Sequence, residues 1–228
     1  RRAAGGFVVA TPKRLAFWNP PDASLRQIAV AEPEKAGARF NDGAVDAEGR
    51  FGIGTMKAGE ATSSLYRLDP DRALSVMASG LTVSNGIGWS PDRRTMYLTD
   101  SLSHTIFAYD YDPPSGSIDN RRVFAYTPDE PGVPDGLAVD SAGFVWSARC
   151  RGWKVVRYDP DGTVAAEIRL PVECPTSCAF GGPNLDQLYV TSSRDLMTQG
   201  THTTQPLAGD RFRIDAGVRG VAEPAYGG

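Results

Sequence analysis

The stretch Pro134-Asp135-Gly136-Leu137-Ala138-Val139-Asp140 decides the fold. An Asx-Gly step opens a short apolar run, and Asp140 starts the turn Ser141-Ala142-Gly143. A second run follows, Phe144-Val145-Trp146-Ser147-Ala148. Asx-Gly favours tight backbone geometry, and short β-branched or aromatic runs between turn formers read as strands. The unit recurs upstream as Asn85-Gly86-Ile87-Gly88-Trp89-Ser90-Pro91-Asp92 before Thr95-Met96-Tyr97-Leu98-Thr99-Asp100. It recurs again as Asn41-Asp42-Gly43-Ala44-Val45-Asp46-Ala47-Glu48-Gly49.

The turns between the first and second strands fall at Gly6, Gly49, Asp92, Gly143 and Gly182-Pro183-Asn184. Their spacing of roughly 40–50 residues is that of four-stranded propeller blades. Second strands read Phe7–Thr11, Phe51–Thr55, Met96–Thr99, Phe144–Ser147 and Gln187–Thr191. Third strands read Leu15–Pro20, Leu65–Pro70, Ile106–Asp110, Val155–Pro160 and Phe212–Asp215, three of them ending in Asn-Pro or Asp-Pro. No segment carries a sustained helical period. The expectation is an all-β fold: one propeller domain over residues 1–228, six-bladed because closure removes exposed sheet edges, with the N-terminal blade missing or truncated. Segment 195–210 shows no strand pattern and reads as a long mobile loop.

Composition agrees. The 228 residues include 25 Gly and 17 Pro, for many turns, and the formal charge is −3. That charge gives no basic surface for nucleic acid, and no apolar run is long enough to span a membrane. Cys150, Cys174 and Cys178 form no disulfide framework and no C-x-x-C, so they read as small buried thiols in a reducing, cytoplasmic setting.

In a propeller the first strands of the blades line a channel and start at one mouth. The register puts Asn41, Asp42, Asn85, Asp135 and Ser177 there, all oxygen donors, a set for a hard cation. Asp46, Asp92 and Asp140 close those strands at the opposite end and read as turn residues. Trp146 and Trp153 read as packing residues, and His104 and His202 as surface residues.

Arg39-Phe40-Asn41-Asp42-Gly43-Ala44-Val45-Asp46-Ala47-Glu48-Gly49-Arg50-Phe51 resembles the R-x-N-D-G-K-V-D-P-x-G-R-[FWY] signature of the SMP-30/gluconolactonase/regucalcin family. Ser84–Ser90, Asp100-Ser101, Tyr109–Asp112, Pro134–Gly136, Pro175–Gly182 and Leu188–Ser192 match it in order. The resemblance implies a six-bladed propeller with one divalent metal and hydrolysis of a sugar lactone. It assigns Asn85 and Asp135 as metal ligands, Asp135 as general acid/base, and Arg39 and Asn41 as substrate contacts. The metal it implies is Ca²⁺ first, with Zn²⁺, Mn²⁺ or Mg²⁺ as alternatives. The partner it implies is a small-molecule lactone bound by a monomer or weak dimer. Two departures stand out. The family's N-terminal E-G-P-x-W motif, whose Glu is a further ligand, is not in this sequence; the expectation is that either the sequence is incomplete or metal binds weakly, with activity reduced or lost in the second case. The loop after Met56 is short, with Lys57 and Glu60 where relatives carry an acidic substrate contact. The alternatives are a non-catalytic calcium-binding propeller, or a hydrolase of other esters or organophosphates using the same site.

Overall fold

The computed structural model describes residues 1–21, 24–31, 37–57, 60–201 and 203–228. These form two compact units. The first comprises Arg1–Asn85, Asp112–Ile118 and Glu223–Gly228, the second Gly86–Tyr111 and Asp119–Ala222.

Two antiparallel meanders build the first unit. One is β1 (Phe7–Ala10), β2 (Arg14–Trp18) and β3 (Arg26–Val30); the other is β4 (Arg39–Val45), β5 (Phe51–Met56), β6 (Ser63–Leu68) and β7 (Leu74–Leu81). Alternation along β2 and β5 turns Leu15, Phe17 and Ile53 inward, where they join Phe40, Val45 and Leu68. Tyr226 completes this core from the far end of the chain. Its hydroxyl donates to the Asp69 carbonyl at 2.7 Å. Its backbone bonds to Arg1 and Ala3, at 3.0 and 2.7 Å, and the Gly227 N–H donates to the Gly49 carbonyl at 2.9 Å.

The next meander is β8 (Ser84–Trp89), β9 (Thr95–Asp100), β10 (Thr105–Asp112) and β11 (Ser117–Tyr126). Ser84, Asn85 and the β10–β11 turn fall in the first unit, and the rest in the second. There follow β12 (Val133–Val139), β13 (Val145–Cys150), β14 (Lys154–Tyr158) and β15 (Val164–Arg169), then β16 (Pro175–Gly181), β17 (Gln187–Ser192) and β18 (Arg211–Asp215). Two apolar clusters hold this unit. Tyr97, Ile106, Leu137, Val145 and Tyr158 form one, and Trp146, Val155, Cys178, Leu188 and Val190 the other.

The turn aspartates do what their positions predict. Asp140 Oδ1 accepts from the Ala142 and Phe144 N–H groups at 2.9 and 3.0 Å. Its Oδ2 takes the Trp146 indole at 3.0 Å and Arg157 at 2.8 Å. Asp46 Oδ1 accepts the Glu48 and Arg50 N–H groups in the same way, at 3.0 and 2.8 Å.

The six-bladed expectation is corrected. Five sheets account for every named strand among the described residues, so the blades number five. The sixth rests on an edge-closure argument and on the family resemblance, with no strand of its own among the described residues. The terminal edges explain why that argument fails. Strand β1 is four residues long, and β18 exposes Arg211, Arg213 and Asp215. Short or charged edges do not need a covering strand to resist pairing.

Candidate active site

The opening strand of three sheets carries an irregularity near its start. The β4–β5 ladder shifts register between Phe40 and Gly43, leaving Asn41 and Asp42 between. The β12–β13 ladder shifts between Pro134 and Leu137, leaving Asp135 and Gly136. The β16–β17 ladder shifts between Pro175 and Ser177, leaving Thr176. A bulge takes residues out of the ladder and re-aims their side chains, and bulges concentrate beside active sites. Two of these bulges sit on Asx-Gly steps read from the sequence, Asn41-Asp42-Gly43 and Asp135-Gly136, and the third sits at Thr176.

In the first unit the substrate candidates are brought together. Arg39 Nη1 donates to Asn41 Oδ1 at 3.1 Å and to the Phe40 carbonyl at 2.9 Å. Asn41 Nδ2 donates to the Ser84 carbonyl at 3.0 Å, which ties β4 to the start of β8. The next residue, Asn85, is 8% exposed. Beside Asn41, burial pushes the Asp42 carboxyl up, against the pull of the Gly43 N–H bonded to it. Glu223, on the tail segment, is raised too, first by the protein crowding it and then by the charge of Asp42. Sequence reasoning does not find this carboxylate pair, because Glu223 stands in a segment without strand pattern. Lys57 and Glu60 pair with each other at 2.8 Å; Ala58 and Gly59 lie outside the described residues.

Asp135 belongs to the second unit and is half-buried on β12. Glycine makes the local geometry possible. A Cβ on Gly86 would sit 2.4 Å from Leu137 N and 2.8 Å from the Asp135 carbonyl, so only a bare backbone lets β8 approach the bulge. A Cβ on Gly136 would meet Ser177 Oγ at 2.2 Å. The three cysteines are buried thiols in no disulfide, as read from the sequence. Contact with Cys174, and then burial, raises the Cys150 thiol. Trp146 is buried edge-on against Phe180, as expected, whereas Trp153 is 38% exposed. His104 is partly buried, and His202 lies outside the described residues.

The donor set that the resemblance assigns, an amide oxygen at Asn85 and a carboxylate at Asp135, fits a hard divalent cation by its chemistry. No cluster of three or more His, Cys, Asp or Glu able to hold a metal stands among the described residues. At Gly86 and Gly136 the backbone beside Asp135 is packed too closely to admit a Cβ.

Residues 1–194 match the SMP-30/Gluconolactonase/LRE-like region model, and the chain belongs to that family. It is 37% identical to the regucalcin of Xenopus laevis over 100% of this chain and 79% of that protein. It is 41% identical to a pentonolactonase of Haloferax volcanii over 81% of this chain and 65% of that protein. Among solved structures it resembles a calcium-binding regucalcin of Agrobacterium tumefaciens, with a TM-score of 0.93 and 28% identity over 99% of this chain and 77% of that one. Among the described residues no helix is long and apolar enough to cross a membrane.

Proposed function

We propose that this chain is a metal-dependent lactonase acting on a sugar lactone. The carrying observation is Asp135, lifted out of its ladder in the β12 bulge, in a chain similar to a pentonolactonase over most of its length. Asn85 and Asp135 would hold the ion, with Ca²⁺ the first choice given the calcium-binding relative. When bound, a divalent cation supplies Lewis-acid polarisation of the lactone carbonyl and acidifies water.

The chain's own groups do the rest. Asp135 takes a proton from the attacking water on a carboxylate oxygen, then returns it to the ring oxygen as the C–O bond breaks. Arg39 commits one guanidinium nitrogen to Phe40 and Asn41. That anchoring aims its other N–H groups at the substrate's hydroxyls or developing oxyanion. Asn41 holds its rotamer through Ser84.

Purified protein with Ca²⁺, Zn²⁺ or Mn²⁺ is expected to release acid from an aldonolactone in a pH-stat, and Asp135→Ala to abolish it. Equal rates for the two proteins would sink the assignment. A second reading, metal binding without turnover, draws on the calcium-binding relative. Calorimetry showing Ca²⁺ binding, with no lactone, ester or organophosphate turned over, would select it.

A further inference from the structure

Arg149 is 1% exposed on β13, a strand otherwise buried along its length. A guanidinium in such a place is costly unless every donor is satisfied. Burial holds its pKa below the ordinary value. Five of its hydrogen bonds go to one segment, residues 127–132, and Tyr158 adds a further contact. Nε donates to the Pro131 carbonyl at 2.8 Å. Nη1 donates to the Thr127 hydroxyl at 2.8 Å. Nη2 donates to the carbonyls of Thr127, Glu130 and Gly132 at 3.1, 3.2 and 3.3 Å. Four carbonyls and a hydroxyl are thus gathered around one planar fork. The segment runs directly into β12, where Pro134 is the ladder partner of Arg149 itself. The next residue is Asp135, in the bulge. Lys154 pins the same segment from outside through Glu130, at 2.8 Å.

We propose that Arg149 is a positioning residue for Asp135. Its fork folds segment 127–132 into the one shape that delivers the β12 bulge with the carboxylate in place. The proposal rests on the reading of Asp135 as metal ligand and base. A hydrophobic side chain would fill the same core volume without a buried charge, and replacing buried charge in that way often costs no stability. What an apolar residue cannot do is collect five oxygens at fixed angles. Lysine cannot either, because its ammonium is a compact point charge without the fork.

The test uses Arg149→Lys, Arg149→Met and, should either fail to fold, the milder Thr127→Val. Three readouts are taken: lactone kcat and KM, Mn²⁺ affinity by calorimetry, and amide hydrogen exchange along the chain. Supporting residues around a metal ligand typically contribute about 10–100-fold to affinity or activity. Arg149→Lys is expected to lower kcat and Mn²⁺ affinity by about that factor, with KM little changed. Exchange should quicken in residues 127–137 and stay as in the wild type elsewhere. Thr127→Val should move all three in the same direction by less. Wild-type kcat and Mn²⁺ affinity in Arg149→Lys overturn the proposal. So does faster exchange spread evenly over the chain, the mark of a merely structural arginine. Wild-type protein that turns over no lactone defeats the lactonase reading by itself, while Mn²⁺ affinity and the exchange map still judge Arg149.

Discussion

At the scale of single residues, the absence of a side chain matters as much as its presence. Gly86→Ala would place a methyl group 2.4 Å from Leu137 N. Backbone must then move, and overpacking of this kind costs about 1–3 kcal/mol. Urea unfolding should show that loss, and lactone turnover should fall with it because the Asp135 bulge is displaced. A midpoint like that of the wild type would contradict the close approach. Asp42 makes a second prediction. A carboxyl whose folded pKa is raised favours the folded state while protonated. That contribution is present below the ordinary carboxylate range and lost as pH rises through the raised value. Asp42→Asn removes the ionisation and keeps an oxygen for the Gly43 N–H. Its melting temperature should therefore exceed that of the wild type at neutral pH, and the gain should shrink towards about pH 4. A gain independent of pH would count against the buried charge. Asp42 was legible as one Asx-Gly among several. Its raised pKa was not, because it comes from burial that only the folded protein supplies.

At the scale of elements, the second and third strands of each sheet are readable because their side chains alternate against a core. The fourth strands are not. Strand β15 is exposed at nearly every position and β11 over most of its length. An outer strand with water on both faces has no reason to alternate, so period-two patterning vanishes. The cation-site candidates are legible for the opposite reason: turn chemistry marks them whatever their surroundings. Among its described residues the loop at 195–210 has no strand, as its sequence suggests, yet it is tied down. Thr198 donates its N–H and hydroxyl to the Glu173 carboxylate, at 3.2 and 2.6 Å, and Thr201 and Gln205 add bonds at 3.3 and 3.4 Å. Burial pushes the Glu173 carboxyl up, but these donors outweigh it and hold its pKa below the ordinary value. Glu173→Gln leaves buried donors poorly satisfied, at a cost of about 1–3 kcal/mol. Trypsin should then cut after Arg194, at the start of the released loop, faster than in the wild type. Unchanged cleavage would mean that Glu173 does not anchor the loop.

At the scale of the molecule, the first unit is discontinuous in sequence, and its core closes on Tyr226. Tyr226→Phe keeps the ring and strands the Asp69 carbonyl, for about 1–3 kcal/mol. Tyr226→Ala empties the space as well, for about 3–5 kcal/mol by analogy with other large aromatics. Equal stabilities of the two variants in urea would remove the ring from the account of this core. The position of Tyr226 also sets a timetable. On the ribosome, the strands of the first unit emerge early and then wait, with Phe17, Phe40 and Leu68 short of one neighbour, while the whole second unit is made. The tyrosine that seals them follows the second unit. The core begun before the second unit is therefore finished only after it, and a nascent chain stalled before Glu223 should expose an apolar seam that the released protein hides.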